Sequence, residues 1–260
     1  MSGNDIQSVQ HTFRPADIAT ALGLLTRLPL PAGLFSAHAA RPAACAAWAY
    51  PLVGLVVAGA AIAVVAVFAA LGLPPVIQAL FALLAMTAVT GALHEDGLAD
   101  CADGMWGGWT RERRLAIMKD SQIGTYGVIA LALSLMLRWQ LIAMLIDADA
   151  FAAAITGAAV ISRAAMVWNM SHLPQARTKG LSHQTGIPPR PAVIVAVLIG
   201  VIAALVSAAA LATVVCVPLI AFVAGRIAQS KIGGQTGDVL GATQQLTEIA
   251  VLLALSASLN

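Results

Sequence analysis

Charged side chains are scarce in this sequence: Asp, Glu, Lys and Arg make up 10% of its 260 residues, against about 25% in a typical soluble domain. Hydrophobic residues make up 60%, and the mean hydropathy is +0.87. A water-soluble fold cannot bury that much apolar surface, because its exterior must be wetted. The net charge of +2 is too small to indicate nucleic-acid binding. The composition therefore predicts a protein whose partner is the lipid bilayer.

Cysteine is also rare, and no recognisable targeting segment is present. The chain has three cysteines, Cys45, Cys101 and Cys216, with no CxxC pair, and an odd, scattered set argues against a disulfide framework. The polar first 15 residues lack the basic and apolar regions of a signal peptide. We expect insertion through internal helices. No repeat or linker divides the chain, so residues 1–260 are expected to form one integral membrane domain.

Long apolar runs predict the membrane spans, since a helix needs about 20 apolar residues to cross a bilayer. Four runs have this length: Tyr50–Gly72, Val76–Leu93, Tyr126–Ile146 and Ala150–Met170. Ala192–Gly225 is too long for one span, which predicts either two short helices meeting near Ser207–Ala210 or a tilted helix with a re-entrant piece. Ala16–Leu28 and Glu248–Leu259 suit interfacial or partial helices. The predicted fold class is all-α, with about six to seven transmembrane helices.

The loop charges predict the orientation, because Lys and Arg accumulate in cytoplasmic loops. All Lys and Arg residues except Arg138 and Arg163, which lie within predicted spans, fall in loops on one side of the membrane. The opposite loops, at Leu73–Pro75, at Asp147–Asp149 and near Ser207, contain none. We therefore expect the N-terminus and the active-site loops on the cytoplasmic side of the bacterial inner membrane.

The densest group of acidic residues lies in the segment 94–104. Asp96, Asp100 and Asp103 follow an i, i+4, i+7 spacing and fall within about 60° of one another on a helix. Carboxylates this close repel one another unless a cation neutralises them, and oxygen ligands suit Mg²⁺ bound to substrate phosphates. This predicts a Mg²⁺ site with Glu95 as an outer ligand. The alternative is a solvated acidic helix face.

His94 precedes these carboxylates at the predicted membrane boundary. It could act as a general base, as a metal ligand or as a structural residue, and geometry decides between these roles. On a continuous helix it would point about 160° away from Asp96, although a turn at Gly97 could bring the two side chains together.

Basic and glycine-containing segments follow the carboxylates. Arg111, Arg113, Arg114 and Lys119 are suited to a diphosphate opposite a metal site. Membrane topology alone would also explain the three arginines. The later glycine-rich segment 231–242 contains a single acid, Asp238, and has low specificity by itself.

Five motifs occur in order along the chain: Thr26–Pro31, Pro51–Gly54, Leu93–Gly104, Ile117–Gly127 and Gly237–Ala242. Together they resemble the adenosylcobinamide-GDP ribazoletransferase family, also called cobalamin (5′-phosphate) synthases. The resemblance covers nearly the whole chain, and its two central motifs are specific. One departure is Gln122, which stands where many members are expected to have Arg. Arg111, Arg114 or Lys119 would then have to contact phosphate in its place.

The resemblance implies a membrane-embedded, Mg²⁺-dependent enzyme that joins adenosylcobinamide-GDP to α-ribazole, or to its 5′-phosphate, and releases GMP. The charge on the leaving GMP requires neutralisation by metal and by Arg or Lys. The predicted catalytic residues are His94, Asp96, Asp100 and Lys119. The predicted substrate contacts are Arg27, Arg111, Arg114, Lys119, Asp120 and Asp238. The predicted metal ligands are Asp96, Asp100, Asp103 and Glu95. Whether the protein forms a homo-oligomer is left open by the sequence.

Two other classes remain at this point. A membrane phosphotransferase that uses a CDP-linked donor would also carry a carboxylate stripe, but its longer aspartate spacing is not found after Asp103. A corrinoid or ion transporter would need ionisable groups lining a path through several spans. Only Arg138 and Arg163 lie within the predicted spans, and neither has an obvious acidic partner there.

Overall fold

The structure, a computed structural model, describes residues 13–34 and 41–259. Within these ranges the chain is helical, with no β-strand and one isolated bridge between Gln175 and Gln235. Two short 3₁₀ helices are Ala32–Leu34 and Ala43–Ala49. The α-helices are α1 (Ala16–Leu25), α2 (Tyr50–Ala70), α3 (Pro75–Thr90), α4 (Leu93–Gly107), α5 (Arg111–Ile117), α6 (Thr125–Asp147), α7 (Phe151–His172), α8 (Leu181–Thr185), α9 (Arg190–Leu205), α10 (Ala210–Ile232) and α11 (Gly237–Ala257). The N-terminal segment 1–12, predicted to be cytoplasmic, lies outside the described residues.

Among the described residues, five helices are long and apolar enough to cross a membrane: α2 with the preceding 3₁₀ helix, α6, α7, α10 and α11. The pair α3 and α4 passes the same test only as a unit, and the two helices are bent by 87° at their junction. α9 is a shorter apolar helix of 16 residues. The predicted all-α, polytopic membrane fold is confirmed.

The long apolar run divides into two helices, as one of the two interpretations predicted. α9 ends at Leu205 and α10 begins at Ala210. In the intervening turn the Ser207 hydroxyl donates a hydrogen bond to the carbonyl of Ala204, 2.7 Å away. A serine that bonds locally to the backbone competes with helix propagation, which explains the position of the break.

The last helix is longer than the predicted partial span Glu248–Leu259. α11 begins at Gly237, where the Thr236 hydroxyl caps it by accepting a hydrogen bond from the Val239 amide. Its first half carries the polar side chains Gln244 and Gln245, which are buried inside the bundle. Hydropathy therefore identified only the second half of this helix, because the polar groups of its first half face protein rather than lipid.

A sharp bend separates α3 from α4. Gly91 and Ala92 adopt positive φ angles of 64° and 57°, a left-handed conformation that tightens the turn and that glycine adopts readily. The Arg27 side chain packs directly over Gly91, where any added Cβ would overlap it. The bend directs α4 back along the first half of α11, with which it makes extensive contact.

Arg138 has two acidic partners inside the bundle that were not obvious from the sequence. Its guanidinium lies 2.9 Å from a Glu95 oxygen and 2.7 Å from a Glu248 oxygen, and it also donates to the Gln245 side chain. All three charged side chains are buried. Arg163 instead donates to the carbonyl of Ala159 in its own helix. The Arg138 group ties α4, α6 and α11 together.

Candidate active site

A cleft of about 190 Å³ lies between the beginnings of α2, α4 and α11, the end of α7 and the segment around α8. Its exposed lining includes Asp96, Lys179 and His183, which form the mouth. Its buried lining includes Tyr50 and His94. The helix ends that surround the cleft are those that carry the basic loops. The cleft therefore faces the side predicted from the loop charges to hold the active site.

Three carboxylates gather at this cleft. Asp96 and Asp238 line it, and Asp100, partly buried one turn along α4 from Asp96, interacts electrostatically with both. Asp96 and His94 both contribute to the lining of this cleft although α4 is continuous, so no turn at Gly97 is needed to bring both residues to it.

Close packing of α4 against α11 brings Asp238 to the other carboxylates. A Cβ added at Gly97 would lie 2.8 Å from the carbonyl oxygen of Asp238, and one at Gly241 would lie 3.2 Å from the Cα of His94. Real Cβ atoms essentially never show a separation under 3.0 Å from a neighbouring atom. Glycine at position 97 is therefore required for this arrangement of α4 and α11.

Gly97→Ala should lower turnover by at least about tenfold, because the new Cβ must push α4 away from the backbone of α11, and a displacement of about 1 Å can cost about a hundredfold in rate. Gly59→Ala in α2 is a matched control, since a Cβ there meets no atom within 4 Å. The check is the turnover of the purified variants at equal amounts of folded protein. Equal activity of the two variants would show that the spacing of these helices does not matter.

Asp238 is held by partners that the sequence did not reveal. Arg177 lies 3.2 Å from an Asp238 carboxylate oxygen and also donates to the carbonyl of Leu115. The Thr236 hydroxyl donates to the same carboxylate oxygen at 3.1 Å. Arg177 was interpreted only as a topological charge, and no local pattern distinguishes it from other loop arginines. Its place beside the carboxylates makes it a candidate phosphate contact.

Asp103 has a different environment from Asp96 and Asp100. Its carboxylate accepts hydrogen bonds from the backbone amides of Gly124 and Gly127, at 2.7 and 2.9 Å, and so caps the beginning of α6. A Cβ at either glycine would overlap this carboxylate. Glu95 is engaged by Arg138. These contacts argue against the predicted role of Asp103 and Glu95 as metal ligands.

Asp103→Asn should lower the free energy of unfolding by about 1–3 kcal/mol, because the amide offers a single acceptor and leaves a buried N–H without one. The Mg²⁺ concentration for half-maximal turnover should stay unchanged. Thermal unfolding in detergent and a Mg²⁺ titration measure the two quantities. A raised Mg²⁺ requirement at unchanged stability would return Asp103 to the metal site.

The carboxylates at the cleft fit Mg²⁺ as a partial set of ligands. Within residues 13–34 and 41–259, no group of three or more His, Cys, Asp or Glu side chains is arranged to hold a metal by itself. Mg²⁺ does not need such a cage, since it usually keeps several waters and binds one or two carboxylates plus substrate phosphates. Asp96 and Asp100, with Asp238 facing them, match that partial set.

The predicted phosphate contacts Arg111 and Arg114 are already used by the backbone. Arg111 donates to the carbonyls of Ile232 and Ala176, each at 2.8 Å. Arg114 donates to the carbonyls of Lys231 and Gly108. Both guanidiniums thus satisfy carbonyls at the end of α10, where positive charge is favourable. These contacts argue for a structural role.

The remaining predicted residues lie outside the cleft lining. Lys119 and Asp120 are exposed in the loop between α5 and α6, where Asp120 accepts a hydrogen bond from the Gln122 amide. Arg27 is exposed over the bend between α3 and α4. Their roles stay predictions.

Comparison with known proteins gave a consistent result. A family model described as cobalamin-5-phosphate synthase matches residues 17–256. A protein from Sinorhizobium sp. named adenosylcobinamide-GDP ribazoletransferase is 45% identical over 251 residues, covering 92% of this chain and 95% of that protein. A protein with the same name from Bradyrhizobium diazoefficiens is 43% identical, covering 93% of this chain and 94% of that protein. Another from Mesorhizobium japonicum is 42% identical, covering 94% of each chain. No solved structure matches.

Proposed function

This chain belongs to the cobalamin-5-phosphate synthase family, and on that basis we propose that it transfers the adenosylcobinamide-phosphate group of adenosylcobinamide-GDP to α-ribazole or its 5′-phosphate, with release of GMP. The observation that carries the proposal is the cleft at which Asp96, Asp100 and Asp238 meet beside Arg177. Carboxylates that can hold a divalent cation, next to an arginine, suit a diphosphate substrate.

The reaction replaces the phosphoanhydride bond of the donor diphosphate by a phosphodiester bond to the acceptor. A ribose hydroxyl of the acceptor attacks the phosphorus next to cobinamide, the bond from that phosphorus to the bridging oxygen breaks, and GMP leaves with that oxygen. Asp96 and Asp100 would hold Mg²⁺, which when bound offsets the negative charge on the phosphates. Arg177 and Lys179 lie at the cleft and supply further positive charge. Asp238 orients Arg177 through their ion pair.

The proton of the attacking hydroxyl needs an acceptor, and His94 is the best placed candidate. It lines the cleft, and its Nε2 has no hydrogen-bond partner in the part of the chain that the structure describes. A general base must come within hydrogen-bond reach of the proton it takes. We assign His94 as that base and keep Asp96, which shares the cleft lining, for the metal.

We place the cleft on the cytoplasmic face of the bacterial inner membrane. The support is the loop charges: the helix ends around the cleft join the loops that carry Lys and Arg, and such loops stay in the cytoplasm. Accessibility of a cysteine substituted for the exposed Lys179, probed with a membrane-impermeant thiol reagent in intact cells, tests this. Labelling before lysis would place the cleft outside.

An assay of detergent-solubilised protein tests the activity. GMP should be released only when Mg²⁺, adenosylcobinamide-GDP and α-ribazole or its phosphate are all present. GMP release without an acceptor would indicate a hydrolase. Turnover of a CDP-alcohol donor would favour the other class of membrane phosphotransferase.

A further inference from the structure

Three buried residues that line the cleft each carry a buried side-chain polar atom with no hydrogen-bond partner among the described residues. These atoms are the Tyr50 hydroxyl, Nε2 of His94 and the side-chain nitrogen of Gln235. The three side chains are 2%, 2% and 0% exposed, and all of them line the cleft. A buried polar group without a hydrogen bond is costly, and such groups are uncommon in native proteins. Three such groups on residues that line one cleft indicate a ligand that carries several hydrogen-bonding groups.

The local scaffold holds two of these groups in place. The Gln235 side-chain oxygen accepts a hydrogen bond from the Ser182 hydroxyl at 2.6 Å, so that the nitrogen at the other end of the amide is the unpartnered atom. The backbone of Gln235 is also fixed, since its amide donates to Pro174 and its carbonyl accepts from Ala176. His94 is packed against Gly241 of α11.

The cleft also has apolar walls. Leu25, Met166, Met170 and Leu240 are buried and line the same cleft. Apolar walls with a few convergent polar groups are typical of small-molecule sites, and methionine sulfur makes favourable contacts with aromatic rings. This combination suits an aromatic ring that carries a sugar.

The volume of the cleft indicates which of the two substrates can enter it. The cleft volume of about 190 Å³ lies below the range of roughly 300–1,000 Å³ common for drug-sized ligands. A nucleoside can occupy such a space, whereas a corrin macrocycle with its peripheral side chains cannot. Asp96 lies at the mouth, where the diphosphate of a donor bound outside the cleft would meet it.

We infer that the buried part of the cleft is the acceptor site, in which the aromatic base lies between the apolar side chains and the ribose hydroxyls bond to Tyr50, His94 and Gln235. The corrin of the donor stays outside the cleft. The inference rests on the proposed function, because it takes the acceptor to be a nucleoside. It makes Tyr50 a residue that determines acceptor affinity, and it brings the ribose to His94.

Tyr50→Phe tests the inference, since it removes one hydroxyl and keeps the ring. The KM for the acceptor should rise about three- to tenfold, as loss of one net hydrogen bond predicts, and the KM for adenosylcobinamide-GDP should stay the same. Thr213→Val is the matched control: it also removes a buried hydroxyl without a partner, but on α10 and away from this cleft. It should leave both KM values unchanged.

A binding measurement separates failure of this inference from failure of the proposed function. α-Ribazole alone, without donor, should raise the thermal unfolding temperature of the full-length protein, and should raise it less for Tyr50→Phe than for Thr213→Val. An unchanged acceptor KM in an active Tyr50→Phe enzyme, or a rise confined to the donor KM, would overturn the acceptor site. Absence of GMP release by the unaltered protein would instead reject the proposed function, and the binding result would still decide the site.

Discussion

Asp100→Asn should reduce turnover by about a hundred- to a thousandfold and leave the protein folded in the membrane. The substitution keeps the size of the side chain and removes one of the charges that would hold Mg²⁺ against the substrate phosphates. Loss of a single group that stabilises transition-state charge commonly has an effect of this magnitude, and a metal contributes several kcal/mol. Turnover is measured as GMP release over a range of Mg²⁺ concentrations, with folding checked by thermal unfolding.

Glu112→Gln is the matched control for Asp100→Asn. Glu112 is an acidic residue on α5 that is exposed and does not line the cleft. The Glu112→Gln variant should retain full turnover. Comparing it with Asp100→Asn distinguishes a general effect of removing a negative charge from loss of the metal site. If Asp100→Asn also kept its turnover, the metal would not be bound at Asp100, and the carboxylates at the cleft would need another explanation.

Arg138→Met should lower the free energy of unfolding by about 3–5 kcal/mol. The arginine is 1% exposed and lies between Glu95 and Glu248, so its removal leaves two buried carboxylates without their counter-ion, and breaking a buried ion pair in this way is strongly destabilising. Unfolding is followed in detergent by heat or denaturant. Turnover should fall with stability, since Glu95 adjoins His94 on α4.

A triple variant separates the loss of a counter-ion from the loss of packing. Arg138→Met combined with Glu95→Gln and Glu248→Gln removes all three charges, and a buried ionic group replaced as a whole often costs little. Its stability should therefore recover most of what the single substitution loses. If the triple variant were as unstable as Arg138→Met, shape rather than charge would account for the effect.

The roles of the acidic residues show how far a local pattern can be interpreted. The i, i+4, i+7 spacing correctly predicted that Asp96, Asp100 and Asp103 lie on one helix. Helical periodicity says which residues share a face, but not what that face meets. Asp103 meets two amides 21 and 24 residues further along the chain. The same spacing therefore contains two candidate metal ligands and one helix cap.

The arginines illustrate the same limit. Their position after the carboxylate cluster predicted phosphate contacts for Arg111 and Arg114, whereas in the structure each bonds to a backbone carbonyl more than a hundred residues away. Arg177 had only a topological interpretation, but it contacts Asp238, 61 residues away, at the cleft. The contacts of each arginine depend on which distant segments of the chain pack against it. The residues next to an arginine in the sequence do not indicate those contacts.

The sequence by itself determined the membrane-embedded, all-helical class and the ordered motifs of the family, because hydropathy, loop charge and motif spacing are properties of short segments. The division of the long apolar run at residues 206–209 follows from the same kind of signal. Only the tertiary structure decided which charged side chains line the cleft and which are held in buried ion pairs or helix caps. Glu95 and Asp96 are neighbours in sequence, yet one pairs with Arg138 inside the bundle and the other lines the cleft. The physical reason is that adjacent residues on a helix point in different directions, and what each side chain meets depends on the helices packed around it.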